Sequence, residues 1–153
     1  MAAAGSARVT YHLETDGVGM AQTARVKGTP HVIEVDAIPA FGGKDAAPGP
    51  LAYALAAFSS CSQATAMAVS QLIGVRLERI EFDVKSEIDL GLLVNAPILG
   101  RPDFQFVEMD VTVHTDASDA QVEKLRAETE ARCPVYQLFQ RSGVPLRSHW
   151  KRA

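Results

Sequence analysis

The chain has 153 residues, of which 47% are hydrophobic and 22% are charged, and these values are typical of a single globular domain. We therefore predict one domain over residues 1–153. A net charge of -3 without a cluster of Lys or Arg argues against a nucleic-acid partner. The four histidines and two cysteines lack the spacing of a zinc site, so we expect no metal and no cofactor.

The N-terminal third predicts β-strands followed by a loop. Apolar and polar residues alternate in three segments: 8–16, 21–28 and 31–37. The glycines on either side of Val18 and the sequence GTP should form the turns between them. FGGKDAAPGP then has the composition of a loop. The first residues show no basic segment followed by an apolar one, so we expect no secretory signal and a cytoplasmic location, where cysteines stay reduced.

Residues 46–75 carry no charged side chain and predict one long helix. The helix should begin at Pro48 or Pro50, because proline fits the first helical turn, and it should end at Gly74. Serine and glutamine side chains within this segment argue against a membrane span. We expect the helix to be buried on nearly all sides inside the protein.

The second half of the chain adds strands and helices, which gives an α+β fold class. Three segments have strand patterns: 76–90, 104–116 and 144–150. GLLVNAPILGRPD, after the first of these, predicts a loop or hairpin. Ser118 begins a capping box, so a helix should follow it. Cys133 and Pro134 should open a further short helix that ends at Gly143.

The only two cysteines, Cys61 and Cys133, differ in their local sequence. Only a thiolate attacks peroxides and disulfides, so a reactive cysteine needs a group that lowers its pKa. Cys133 is predicted at a helix start beside Arg132, where backbone N–H groups favour its anion. Burial of Cys61 in an apolar helix would raise its pKa, so local physics favours Cys133 as the nucleophile. The alternative is that both thiols only fill the core, as most free cysteines do.

Helical spacing places Cys61 between an apolar stripe and a polar patch. The predicted stripe comprises Leu51, Leu55, Phe58, Thr65, Val69 and Leu72. The polar patch consists of Ser60, Ser62 and Gln63, which are unusual residues for the interior of a core helix. These polar side chains could line a small pocket.

Three stretches, taken in this order, resemble the OsmC/Ohr family of osmotically inducible and organic-hydroperoxide-resistance proteins: APGPLAYALAAFSSC, GVRLERIEFDV and CPVYQL. The resemblance covers most of the chain, from the N-terminal strands to the second cysteine. It implies an α+β, OsmC-like fold, in which antiparallel sheets wrap around long central helices in an intertwined homodimer. Packing of this helix against its copy or the sheet would explain its lack of charge.

The resemblance also implies an enzyme of the oxidative stress response, a peroxidase that reduces organic hydroperoxides with thiols. The family cysteine that matches Cys61 is peroxidatic, and the one that matches Cys133 is resolving, which reverses the ranking from local physics. Cys61 would become a sulfenic acid and then form a disulfide with Cys133. A dithiol reductant, lipoyl-type in part of the family, would restore both thiols. The partners implied are therefore the hydroperoxide, the dithiol and a second copy of the chain, with no nucleic acid and no membrane.

The chain departs from the family pattern at Leu51, where the hydroperoxide reductases have a glutamate that pairs with an arginine and helps to ionise the cysteine. The place of that arginine falls near Phe41, which is not basic, and Arg25 or Lys44 could substitute. Two other functions on the same fold therefore stay open. One is the binding of a small apolar ligand, which Leu51 would favour. The other is a thiol-dependent hydrolase or transferase that uses Cys61, although no histidine stands at a recognisable spacing.

Overall fold

A computed structural model describes residues 8–94, 97 and 100–153. The chain forms two compact units, one ending at Tyr53 and the other comprising Ala54–Ala153. The elements in chain order are β1 (Leu13–Val18), β2 (Ala21–Val26), β3 (Val32–Val35), α1 (Pro50–Ile73), β4 (Arg79–Ile88), α2 (Leu90–Val94), β5 (Phe104–His114), α3 (Asp119–Arg132), α4 (Pro134–Ser142) and β6 (Leu146–Arg152). This content confirms the predicted α+β class, whereas a single domain over residues 1–153 stays a prediction.

The N-terminal unit contains an antiparallel sheet in the order β1, β2, β3. Its first strand lies later in the sequence than predicted, because it begins at Leu13 and continues past Asp16 to Val18. The reason is the turn, which is set by Gly19 in the left-handed conformation at a φ of 63°. Val18 therefore pairs with Ala21 and closes a two-residue hairpin.

The loop after β3 is organised by the buried carboxylate of Asp36. This carboxylate accepts hydrogen bonds from three backbone N–H groups, those of Ala37 at 2.8 Å, Lys44 at 3.0 Å and Ala46 at 3.1 Å. The N–H of Ala46, followed by the other two, lowers the pKa of Asp36 because these donors stabilise its charged form. One side chain therefore holds both ends of the segment between residues 37 and 46.

Helix α1 begins at Pro50 and ends before Gly74, which has a left-handed φ of 71°, as the sequence predicts. Its buried residues form one stripe: Phe58, Ser62, Ala66, Val69 and Ser70. The predicted stripe is wrong at both ends, since Leu51 is 42% exposed and Leu72 is 73% exposed. Burial on nearly all sides is therefore also wrong within a single chain. The opposite side of α1 presents uncharged residues to solvent.

The C-terminal unit contains a second sheet in the order β4, β5, β6. β4 pairs with β5 in antiparallel register, whereas β5 and β6 run parallel. The expectation of antiparallel sheets is thus confirmed for the first sheet and for β4 with β5, but it is wrong for β5 with β6. The reason is that α3 and α4 form a crossover between β5 and β6, which brings the chain back to start β6 in the same direction.

The core of the C-terminal unit is built on the central strand β5. Alternate residues of β5 are buried: Val107, Met109, Val111 and Val113. Side chains of α1, α3, α4 and β6 complete the cluster: Phe58, Ala66, Val69, Val122, Leu125, Cys133, Tyr136 and Trp150. Helix α3 begins with the predicted capping box, because the Ser118 hydroxyl accepts from the Gln121 N–H and the Gln121 side chain accepts from the Ser118 N–H.

The segment predicted as a loop or hairpin between β4 and β5 begins instead as the short helix α2. Residues 95, 96, 98 and 99 of that segment lie outside the described residues. Across the part of the chain that the structure describes, no helix has both the length and the hydropathy needed to cross a bilayer.

Candidate functional site

Cys133 occupies the junction between α3 and α4 and is fully buried. It is the N-cap residue of α4, with Pro134 in the first helical position as predicted. Its thiol accepts a hydrogen bond from the N–H of Tyr136 at 3.4 Å, and its own N–H donates to the Thr129 carbonyl at 2.8 Å. The sulfur therefore lies at the N-terminal end of α4.

Cys61 lies in the middle of α1, partly exposed, and the structure brings its thiol next to Cys133. The two residues are 72 positions apart in the sequence. The neighbouring side chain, Ser62, also reaches this junction, because its Oγ lies 3.7 Å from the Sγ of Cys133. Both cysteines are free thiols. The two predicted site residues thus share one site, although their catalytic roles stay predictions.

The pKa of Cys61 is raised above its ordinary value, first by burial and then by the adjacent Cys133 thiol. The backbone N–H of Val135 acts in the opposite direction and lowers this pKa. Val135 belongs to the first turn of α4, as does Tyr136, whose N–H bonds to Cys133. The first turn of α4 therefore lies against both cysteines.

Aromatic packing holds α4 against α1 at this site. The buried ring of Phe58 stacks on Tyr136 with a centroid distance of 5.8 Å and contacts Phe139 at 4.9 Å. Phe58 lies one helical turn before Cys61, and Tyr136 lies one turn after Cys133. The ring contacts therefore lie about one helical turn from each thiol.

Polar contacts fix the start of α4 from the side of α3. The Nε2 of Gln137 donates to the carbonyl of Glu130 at 3.0 Å, and the Glu130 carboxylate pairs with Arg126 at 2.6 Å. Burial, reinforced by Glu130, raises the pKa of Tyr136 to about 12. Arg132, which the sequence placed beside Cys133, instead directs its guanidinium to Glu128 at 2.6 Å. Its charge is therefore already compensated.

Sequence reasoning missed the buried role of Ser62, which it placed in a polar patch that could line a pocket. Leu51, Arg25 and Lys44 all lie in the N-terminal unit, so their suggested effect on Cys61 stays a prediction. Within residues 8–94, 97 and 100–153, no three His, Cys, Asp or Glu side chains are grouped as metal ligands would be. The candidate site is a thiol pair with neutral hydrogen-bond donors around it.

Comparison with known proteins places this fold among OsmC-like structures. The chain is similar to an OsmC-like protein from Mycoplasma pneumoniae, with 19% identity, a TM-score of 0.76, and 95% of this chain and 96% of that chain covered. It is also similar to an organic hydroperoxide resistance protein from Elizabethkingia anophelis, with 15% identity, a TM-score of 0.75, and 96% and 99% covered. A third similar structure is an organic hydroperoxide resistance protein OsmC from Legionella pneumophila, with 13% identity, a TM-score of 0.68, and 97% of this chain and 99% of that chain covered.

Sequence comparison identifies the family directly. No match was found among curated proteins. The model of the OsmC-like protein family, however, matches residues 42–149, which include both cysteines and most of the chain. The predicted resemblance is thereby confirmed, and the chain belongs to the OsmC-like protein family.

Proposed function

We propose that this chain reduces organic hydroperoxides with Cys61 as the peroxidatic thiol and Cys133 as the resolving thiol. The observation that carries the proposal is the contact between two thiols that are distant in sequence, with Cys133 also accepting the Tyr136 N–H at the start of α4. Two organic hydroperoxide resistance proteins share the fold, which agrees with the proposal.

The reaction follows from the chemistry of the pair. The Cys61 thiolate attacks the O–O bond, an alcohol leaves, and Cys61 becomes a sulfenic acid. The Cys133 thiolate then attacks the Cys61 sulfur, the S–O bond breaks, and the oxygen leaves as water. A dithiol, of lipoyl type by resemblance to the family, reduces the resulting disulfide by two thiol–disulfide exchanges.

The test is a single-turnover reaction of the reduced protein with cumene hydroperoxide after removal of reductant. We expect a stoichiometric Cys61–Cys133 disulfide in the wild type, mapped by mass spectrometry. Cys133→Ser should consume one equivalent of peroxide and hold a sulfenic acid that dimedone traps. Cys61→Ser should consume none, and consumption at the wild-type rate by this variant overturns the proposal.

We also propose that the chain acts as a homodimer. Eight large hydrophobic side chains are exposed in the described part of the N-terminal unit: Val9, Tyr11, Leu13, Val18, Met20, Val32, Ile38 and Leu51. Exposed apolar residues in this number favour an interaction surface. Leu72, on the uncharged outer side of α1, is a further exposed apolar residue in the C-terminal unit. Sedimentation equilibrium should give a dimer mass for the wild type and a lower mass for Leu72→Glu. Leu138→Glu is a matched control, because Leu138 is exposed on α4. A monomeric wild type contradicts the proposal.

A further inference from the structure

The Ser62 hydroxyl behaves differently from the other Ser and Thr hydroxyls of α1. Four of these five hydroxyls donate to a carbonyl three or four residues earlier in the helix: Ser59, Ser60, Thr65 and Ser70. Ser62 has the Cys133 sulfur as its partner in the described part of the chain, at 3.7 Å. Ser62 is 1% exposed and Cys133 is 0% exposed, so bulk solvent does not hydrogen-bond to either group in place of this contact. A buried hydroxyl is costly without a partner, and here the partner is a thiol.

The direction of this hydrogen bond depends on the state of Cys133. In the thiol state, either the sulfur or the hydroxyl can donate. A thiolate can only accept, so Ser62 must then donate, together with the N–H of Tyr136 at 3.4 Å. A disulfide sulfur is neutral and a weak acceptor, and it gains little from either donor. The Ser62 contact therefore stabilises the thiolate form of Cys133 selectively.

We propose that Ser62 is a positioning residue that holds the Cys133 thiolate during opening of the Cys61–Cys133 disulfide. The proposal rests on the thiol-pair function given above and names the step that Ser62 assists. A thiolate of the dithiol reductant attacks the Cys61 sulfur, because Cys61 is partly exposed and Cys133 is fully buried. The S–S bond breaks and its electron pair leaves on the Cys133 sulfur. The second thiolate of the reductant then displaces Cys61 and closes the reductant's own disulfide.

Reduction tests this role better than disulfide formation does. A donor that stabilises a thiolate increases its population but decreases its nucleophilicity, so the two effects on attack partly cancel. When the same thiolate is the leaving group, stabilisation accelerates the reaction without this compensation. Loss of the hydroxyl should therefore slow the opening of the disulfide by about fivefold to tenfold, a factor in keeping with a hydrogen bond to a charged group that is partly developed in the transition state.

The experiment forms the disulfide with diamide, an oxidant that does not depend on peroxide chemistry, and follows its reduction by excess dithiothreitol. Acid quenching, alkylation and mass spectrometry give the rate for wild type, Ser62→Ala, Ser62→Thr and Ser70→Ala. Ser70 is a matched control, because it is also buried in α1 but donates to the Met67 carbonyl. We expect Ser62→Ala to be slow, Ser62→Thr to recover most of the rate, and Ser70→Ala to resemble the wild type.

Three outcomes overturn the inference: reduction of Ser62→Ala at the wild-type rate, equal slowing in Ser70→Ala, or failure of diamide to join the two cysteines in the wild type. A parallel challenge with cumene hydroperoxide separates this inference from the proposed function. If Ser62→Ala is slow in reduction while the wild type consumes no peroxide, the peroxidase proposal fails and the role of Ser62 in thiol–disulfide exchange stands.

Discussion

Replacement of Phe58 by alanine tests whether the aromatic contact between α1 and α4 positions the two thiols. Phe58 is fully buried, and its ring lies against Tyr136 at 5.8 Å and Phe139 at 4.9 Å. Because Phe58 precedes Cys61 by one turn of α1, removal of its ring leaves a cavity beside the site. The start of α4 can then shift relative to Cys61, and Cys133 shifts with it.

Two magnitudes follow from this geometry. A fully buried Phe→Ala change costs about 3–5 kcal/mol of the free energy of unfolding, through lost transfer energy and the cavity that remains. Domains have a free energy of unfolding of about 5–15 kcal/mol, so the variant should remain largely folded in buffer. A displacement of about 1 Å between reacting groups can slow a reaction by roughly a hundredfold, and we expect Cys61–Cys133 bond formation to slow by about tenfold to a hundredfold.

The assay combines urea denaturation, followed by circular dichroism, with the rate of disulfide formation by diamide in native buffer. Phe82→Ala is the control, because Phe82 contacts Trp150 edge-on at 6.3 Å on the sheet and should change stability with little change in the disulfide rate. Phe58→Leu, which should cost about 1 kcal/mol, serves if the alanine variant unfolds. A loss below about 1 kcal/mol in Phe58→Ala, or a wild-type disulfide rate in both Phe58 variants, refutes the reasoning.

The remaining predictions concern the pKa of Cys61 and the loop that follows β3. Because burial raises the pKa of Cys61 and only the thiolate reacts, the second-order rate constant with cumene hydroperoxide should rise with pH from about 6 to about 9 without a plateau. Asp36→Ala should accelerate amide exchange of Lys44 by roughly tenfold, because its N–H loses a charged acceptor. Gly43→Ala should displace the same loop, because a Cβ at Gly43 would lie 1.8 Å from the carbonyl oxygen of Ala37, and loss of amide protection at Asp45 would report this displacement.

Each of these three predictions has a control or a result that would contradict it. A plateau in the pH–rate profile below about pH 8 contradicts the raised pKa of Cys61. The pKa of Asp36 is lowered by folding, so its contribution to stability is present above the unfolded pKa of about 3.9 and is lost as pH falls through the folded pKa. The effect of Asp36→Ala should therefore disappear in acid. Gly49→Ala is the control for Gly43, because a Cβ there would lie 3.7 Å from the Asp36 carbonyl oxygen, an ordinary contact.

Local sequence signals predicted the ends of the helices well because each signal acts within one turn. Pro50 and Gly74 bound α1, the Ser118 capping box begins α3, and Gly143 ends α4, all at the predicted positions. Local sequence signals gave the wrong end for β1, because strand pairing decides where this strand ends. The Asp16-Gly17 pair is typical of a turn, yet β1 continues through it, because hydrogen bonding to β2 and the conformation of Gly19 place the turn later.

The same contrast between local signals and tertiary contacts explains which parts of the candidate site could be predicted. Sequence identified both cysteines, and the helix start at Cys133 could be read from Pro134 alone. The stripe of α1 was misassigned because the helix has no charged residues to mark its solvent side, and the true stripe contains Ser62 but not Leu51 or Leu72. That Ser62 contacts Cys133 depends on the docking of α4 on α1, which is a tertiary interaction and has no signature at any fixed spacing.

The two thiols of the site have different surroundings, and these bear differently on the steps of the proposed reaction. The Val135 N–H, which lowers the pKa of Cys61, is a neutral donor, and burial outweighs its effect. Attack on the peroxide, which needs the Cys61 thiolate, is thus the step that this site assists least. Cys133, by contrast, accepts the Tyr136 N–H, and the Ser62 hydroxyl lies 3.7 Å from its sulfur. Resolution and disulfide exchange are the steps for which these donors are arranged, and slow first attack with efficient exchange is the pattern that follows from the contacts.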